Sequence, residues 1–331
     1  MDTQLNWNRE VDEFLISTIF IKNKNIIMRE IQVVFGIDME TDIGSWTPFY
    51  EGVTKGTPLM LDLFARKSIQ VTGFWVAETA RRFPEIVREM KSAGHEIGAH
   101  SLYHETIGDS LFDIPGIYPL LPEEVYPRIE KATNIVEDIT GEKVVSWRCP
   151  RLFGGTEVTN SLETLGYECD ATYPMYYYGN QLFPYHPSKD SWLNEGNLNL
   201  IEIIQFADMG MESEDPYGRD KDPWPLYRTG STAELISHIE SFIRYIETND
   251  KSQKPLVLCF YLHPWEFWEM PEGLIHFGEG GVLPDPFLVK GCGEYCLNQI
   301  EILIDWLLSK EAVFLTAGKC ARKWKEILSV F

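Results

Sequence analysis

Three of the seven histidines in this chain, His95, His100 and His104, are packed into the stretch GHEIGAHSLYHE. Imidazoles four residues apart, as His100 and His104 are, share one face if the chain turns helical there, a spacing that a divalent metal uses. The alternative is an incidental polar face. A second group is Asp38-Met39-Glu40-Thr41-Asp42, three carboxylates emerging from the apolar run Ile31 to Ile37. Acids at the end of a buried strand are costly unless they bind something, so one can ligate a metal while its neighbour acts as base. An N-cap with a solvated loop is the alternative. A third is Leu262-His263-Pro264-Trp265-Glu266, where a histidine leaves the most hydrophobic run of the chain; the bland reading is a satisfied core histidine. Arg148-Cys149-Pro150-Arg151 and Asp170 add a cation and an acid. Each has a structural alternative, Arg148 as an ion-pair partner and Asp170 as a loop cap.

What must position these groups is an alternation of short β-rich runs with helical periods. Strands are expected at Ile31 to Ile37, Ile69 to Val76, Ile97 to Ala99, Val144 to Arg148, Glu168 to Ala171, Leu198 to Ile204, Leu256 to Leu262 and Val313 to Thr316. Between them, apolar residues at three-to-four spacing predict helices over Thr57 to Arg66 and over about 77–92, 123–139, 156–165, 232–247 and 293–309. Such βα repeats imply parallel strands with helices packed outside, in a barrel or a doubly wound sheet. All five chemical groups sit at strand ends, where the βα loops of a barrel gather an active site. Two stretches, 172–230 and 264–292, are rich in Tyr, Trp, Pro, Gly and Asp and lack periodicity, as lids and binding walls do.

The bulk composition narrows the partners. Acidic residues number 50 against 29 basic ones, a net charge of −21, which repels a nucleic-acid backbone or an anionic membrane. No stretch reaches the ~18 apolar residues of a membrane span. The N-terminus lacks the charge order of a signal peptide, with Asp2 and Glu10 ahead of the apolar patch Phe14 to Ile21. Six cysteines dispersed through core-like segments are what reduced thiols look like, so the cytoplasm is the expected compartment. Residues 1–29 read as an N-terminal extension and 30–331 as one catalytic domain.

Taken together, the five groups resemble the polysaccharide deacetylase family, the NodB-homology fold of carbohydrate esterase family 4. The correspondence rests on Asp38 and Glu40, His100-Ser101-Leu102-Tyr103-His104, Arg148-Cys149-Pro150, Asp170 and Leu262-His263-Pro264, in that order, and spans about residues 31 to 325. The resemblance implies a distorted (β/α) barrel with long loop insertions. It implies one divalent metal, zinc first and cobalt, nickel or iron as alternatives, held by His100, His104 and an acidic ligand of the first motif. In the same terms Asp38 would be the general base, Arg148 would hold Asp38, Asp170 would orient and tune His263, and His263 would protonate the leaving nitrogen.

Two departures bear on the substrate. The first motif reads Asp38-Met39-Glu40 where the family commonly has adjacent aspartates, a spacing similar to that of an allantoinase-like, cyclic-imidase-like and peptidoglycan-deacetylase-like intracellular branch. On a strand, positions 38 and 40 point to one side, so Glu40 is the expected ligand, with Asp42 as its rival. Arg151 stands where sugar-active members commonly carry an aromatic residue. The aromatic insert with Tyr173, Tyr176, Tyr177, Tyr178, Trp192 and Trp224 is expected to wall a closed pocket, or to stack on sugar. The expected reaction is hydrolysis of an amide-type C–N bond, N-deacetylation of an amino-sugar-containing substrate first and opening of a small cyclic imide or ureide second. A homo-oligomer fits the same branch. A degenerate member that only binds a ligand would need a broken site, and here every role has an occupant.

Overall fold

The computed structural model describes residues 29–330; the extension read at 1–29 falls almost wholly outside them. The first strand, β1 (Ile31–Met39), is buried along its whole length. It pairs in parallel with every strand that flanks it: β2 (Thr72–Trp75) at its end, β7 (Leu256–Leu262) along Ile31 to Ile37, and β10 (Val313–Phe314) at its start. From β2 the sheet continues, all parallel, through β3 (Glu96–Ala99), β4 (Ser146–Trp147), β5 (Cys169–Asp170) and β6 (Ile201–Glu202). A single parallel bridge, Gln205 to Cys259, then joins the chain beyond β6 to β7, which curls the sheet round to its starting edge. A short antiparallel hairpin, β8 (Ile275–His276) with β9 (Gly281–Val282), lies in the loop after β7. This is the distorted (β/α) barrel expected from the sequence.

The alternation along β1 organises the interior. Val33, Phe35, Ile37 and Met39 belong to the large core between sheet and outer helices. Gln32, Val34, Gly36 and Asp38 face the other way, as period two requires. Val34 packs with Phe74, Cys169, Ile201, Val257 and Cys259 inside the barrel. The base is plugged by the helix Ala317–Leu328, whose Ala317, Cys320, Ala321 and Trp324 join that inner cluster. Trp324 donates its indole N–H to Gln32 at 3.0 Å. One face of β1 thus runs from a plugged base to the carboxylates at the mouth.

The outer helices agree with the sequence periodicity, with two differences. The period over 77–92 is two helices, Ala77–Arg82 and Pro84–Ser92. Pro84 pushes the preceding residue out of helical conformation, and Phe83 sits at φ −128°, ψ 55°. The plug helix was not foreseen. Helices Pro122–Thr140, Thr156–Leu165, Thr232–Asn249 and Glu294–Ser309 lie where expected within a few residues. Several strands are far shorter than their apolar runs, β4 to β6 having two residues each. No helix of the described residues is long and apolar enough to cross a membrane, and all six cysteines are unpaired.

Candidate active site

At the mouth of the barrel, Glu40, His100 and His104 are all buried, and each offers one ligand atom within 4.8 Å of the others. The expected helical turn between the two histidines does not exist. Instead Ser101 and His104 adopt left-handed backbone, φ 66° and 62°, and the resulting turn brings the imidazole centroids to 5.2 Å. The Ser101 hydroxyl accepts from the His104 N–H at 3.0 Å, and Glu105 accepts from the N–H groups of Leu102 and Tyr103. These bonds repay a conformation that non-glycine residues seldom take. His100 Nδ1 lies 2.8 Å from the Arg148 carbonyl. Donating there fixes the tautomer, so the Nε2 lone pair faces the cluster.

Glu40 is 1% exposed, and neither carboxylate oxygen has a hydrogen-bond partner. Burial alone would push its pKa up; His104, in direct contact with it, and then His263 and His100 beside it outweigh that and hold it at about 2. Its Oε2 is against His104 Nε2 and 3.8 Å from His100 Nε2, while Oε1 is 3.8 Å from His263 Nε2. Burial lowers His100 to about 4, so its imidazole is neutral, the form that ligates. An ionised, orphaned carboxylate beside a lone-pair imidazole is a donor set that fits a divalent cation.

The rival ligand Asp42 is not part of this cluster. Its two oxygens accept from the N–H groups of Glu51 and Gly52, at 2.9 and 2.8 Å. It closes the loop after β1, and burial raises its pKa. β1 ends at Met39, and Asp42 lies beyond it in the turn Asp42–Ser45, so the strand alternation does not carry it to the cluster.

Arg148 is fully buried, and its guanidinium spans the barrel interior. Nη1 donates to Asp38 Oδ1 at 2.8 Å and Nε to the Ala171 carbonyl at 2.9 Å. Its guanidinium carbon lies 4.4 Å from the Phe74 ring centroid. Gly36 makes room for it: a Cβ there would come 2.2 Å from Nη1. Asp38 Oδ2 is left 3.9 Å from His100 Nε2, beside the cluster. Removing one partner of such a buried pair costs roughly 3–5 kcal/mol.

His263 follows β7, the strand paired with β1 up to Ile37 and Leu262. It stacks on Trp265 with centroids 5.2 Å apart, and its Nδ1 lies 3.3 Å from Glu266 Oε2. Asp170, expected from the resemblance to tune this ring, is not its hydrogen-bond partner. The Asp170 carboxylate instead accepts from the Thr172 hydroxyl and lies opposite Glu202 in the β5–β6 register. Glu266 is the acid that contacts the ring, and it is heavily supported. It accepts from the His263 N–H at 2.8 Å, Tyr227 at 2.7 Å, Arg228 Nε at 2.7 Å and Trp224 Nε1 at 3.0 Å. Against burial, Arg228 and His263 hold Glu266 down at about 2. For His263, burial pulls the pKa down, but the Glu266 bond and the charges of Glu266, Glu40 and Asp38 raise it overall. The raised pKa favours a proton on His263, whose Nε2 lies 3.8 Å from Glu40 Oε1. The sequence signal for Glu266 was a carboxylate three residues after His263 in Leu262-His263-Pro264-Trp265-Glu266.

These groups open into a cavity of about 370 Å³. Trp46, Phe112, Trp224, Trp265 and Phe287 form its aromatic walls, and Arg151 and Arg219 are its two cations. Of the aromatic insert only Trp224 lines it. Tyr173, Tyr178 and Trp192 pack on one another instead, at 5.4 to 5.7 Å, and build the wall's support. Trp46, Phe112 and Ile114 come from loops after β1 and β3 that carry no chemical motif of their own.

A family profile described as polysaccharide deacetylase matches residues 42–169. Over that stretch the chain is similar to polysaccharide deacetylases. The matched stretch contains His100, His104 and Arg148. A peptidoglycan deacetylase of Helicobacter pylori is 25% identical over 147 residues, 40% of this chain and 46% of that protein. A peptidoglycan-N-acetylglucosamine deacetylase of Bacillus cereus is 30% identical over 124 residues, 30% of this chain and 42% of that protein. The chain spans less than half the length of these curated relatives. Its fold matches the solved structure of a probable polysaccharide deacetylase of Pseudomonas aeruginosa, with a TM-score of 0.57, 17% identity and 89% and 91% of the two chains covered. It also matches that of Puue allantoinase, with a TM-score of 0.58, 16% identity and 90% and 91% covered. The family resemblance read from the motifs is therefore borne out, and the fold with it.

Proposed function

We propose that residues 30–331 form one catalytic domain that hydrolyses an amide-type C–N bond with one divalent metal, most simply by removing an acetyl group from an amino-sugar-containing substrate. The observation that carries this is the buried, ionised Glu40 flanked by His100 and His104, with Asp38 3.9 Å from His100 and His263 3.8 Å from Glu40 itself. Glu40, His100 and His104 would hold the metal, zinc being the first candidate for two imidazoles and a carboxylate. The ion would supply Lewis-acid polarisation of the acyl oxygen and a lowered pKa for water.

The chain's own groups supply the proton transfers. Asp38, oriented by Arg148, takes a proton from the attacking water. His263, protonated and held through Nδ1 by Glu266, gives one from Nε2 to the leaving nitrogen, because an amine leaves readily only when protonated. Trp265 and Trp224 fix the plane of that ring. A cavity of about 370 Å³ lies at the small end of ligand pockets and suits one ring better than a long polymer strand. That size also favours a second reading, hydrolysis of a small cyclic imide or ureide, for which the fold shared with an allantoinase is supporting. The six unpaired cysteines are in keeping with a reducing compartment, the cytoplasm.

The deciding experiment is metal analysis of the purified chain followed by a hydrolysis screen with metal restored. About one metal per chain with acetate released from N-acetylated amino sugars supports the first reading, and ring opening of imides or ureides the second. Absence of metal binding and of activity with zinc, cobalt or nickel would overturn both.

A further inference from the structure

The cavity holds two arginines in a chain of net charge −21, and they are not equivalent. Arg219 is already satisfied. It donates to the Tyr176 hydroxyl at 3.0 Å, lies 3.5 Å from Asp222 Oδ2, and its guanidinium carbon is 5.1 Å from the Tyr176 ring centroid. Arg151 is not. It makes one hydrogen bond, from Nη1 to the His104 carbonyl at 3.0 Å, and among the described residues no carboxylate pairs with it. The two acids whose charge reaches it are Glu40 and Glu105. Glu40 faces the imidazoles, and Glu105 accepts from Ser101, Leu102 and Tyr103.

The backbone is bent to put Arg151 there. Arg151 and Leu152 both have φ of 60°, a left-handed pair without glycine that is sustained only when its surroundings impose it. The turn aims a half-buried guanidinium into the cavity, leaving four of its five N–H donors without a protein partner. A partly desolvated cation with a planar, bidentate donor set is a receptor for a carboxylate or a phosphate. An acidic protein would otherwise repel such a ligand.

We propose that Arg151 is a specificity-determining residue that binds an anionic group of the substrate, a carboxylate or phosphate carried on the same ring as the acylated nitrogen. The placement on the same ring follows from the contact with His104: Arg151 holds the carbonyl of a residue in the Glu40–His100–His104 cluster, and both line one small cavity. This deepens the deacetylase reading and rests on it for the acyl group, but the anion site can be tested without turnover.

The experiment is calorimetric titration of the full chain, loaded with zinc, with three deacetylated probes: glucosamine, muramic acid and glucosamine 6-phosphate. Wild type is compared with Arg151→Gln and Arg151→Lys. At least one anionic probe should bind wild type about tenfold to hundredfold more tightly than glucosamine, as a charge-assisted bidentate contact allows. Which one wins separates carboxylate from phosphate. Arg151→Gln should erase that advantage while leaving glucosamine affinity and zinc content unchanged, and Arg151→Lys should keep part of it. Equal affinities for charged and neutral probes in wild type would overturn the proposal. So would a loss in Arg151→Gln that is the same for all three probes, since that would mean Arg151 only holds the His104 turn. An anion preference that survives in Arg151→Gln would overturn it too. Failure of acetate release from any acetylated substrate would sink the deacetylase reading and leave these binding results standing.

Discussion

Two sets of buried acids sit on the same sheet a few strands apart, and they are held in opposite states. Glu40, at the end of β1, is 1% exposed; Asp170 and Glu202, on β5 and β6, are 0% exposed. Each set leaves carboxylate oxygens with no hydrogen-bond partner: both of Glu40's, and one each on Asp170 and Glu202. Yet Glu40 is held at about 2 by three imidazoles. Burial pushes Asp170 up to about 7, despite its Thr172 bond and the Arg148 charge, and raises Glu202 well above the usual carboxylate range. Burial is the same; the neighbours differ. A carboxylate among imidazoles is poised for a cation, whereas two carboxyls facing each other in register hold their protons to higher pH.

The sharpest way to break this comparison is to remove the imidazoles. With His100→Ala and His104→Ala together, Glu40 loses most of what keeps it ionised and should behave as Asp170 does. Bound metal should disappear, and activity should fall by about 10³-fold or more, since the metal's share of the barrier is several kcal/mol. Metal analysis and turnover check this; unchanged metal content would refute the site.

A third buried carboxylate, Glu266, is held ionised by Arg228 and His263, and it tests whether the same principle governs the acid. In Glu266→Gln the hydrogen-bonded charge that does most to raise His263 is gone, leaving those of Glu40 and Asp38. A general acid works only while protonated, so the alkaline limb of kcat/KM should move to lower pH. The rate at neutral pH should drop by about tenfold to hundredfold. Arg228 would lose its partner in the same variant, and stability would fall; the pH profile separates that from catalysis, because loss of folded protein scales the curve without moving its limb.

How far the sequence could carry this depends on what each residue needs from a distance. β1 and β7 were legible because both faces are buried, so they read as continuous apolar runs, and the two carboxylates at the mouth follow from the alternation that places Asp38 and Glu40 on one side. The His100–His104 turn was not. Its left-handed Ser101 and His104 rely on Glu105 and on the Arg148 carbonyl, and no local pattern announces that. That Glu266 meets His263 where Asp170 was expected has the same cause. Glu266 is gripped by Tyr227 and Arg228 from a stretch without periodicity, so only the folded chain shows which acid meets His263. The plug helix was hidden because its apolar stripe is narrow among Lys319, Arg322, Lys323 and Lys325.

A smaller perturbation reaches the boundary between the two acid sets, where Arg148 lies. Gly36→Ala would set a methyl group 2.2 Å from Arg148 Nη1, so the guanidinium must shift off Asp38. Overpacking of this kind costs about 1–3 kcal/mol, and kcat should fall with little change in metal content. Metal loss equal to that of the histidine variant would mean that Asp38 and Glu40 are not separable in role.

The mildest test is Asp170→Asn, which should leave turnover within a few-fold and act on stability through pH. A carboxyl near 7 in the folded protein and about 3.9 in the unfolded chain binds a proton on folding between those values. Its contribution to stability is present below the unfolded pKa and lost as pH rises through the folded one. Wild type should therefore lose stability between pH 5 and pH 8, and the variant should lose less, because the amide cannot ionise. Glu202 is raised too, so part of the slope should remain. At pH 5, where Asp170 is already neutral, the two proteins should differ by only about 1 kcal/mol. Denaturant midpoints at the two pH values read this directly. Equal slopes would mean that Asp170 is ionised after all, stabilised by Arg148 across the barrel, and that the contrast with Glu40 is one of degree.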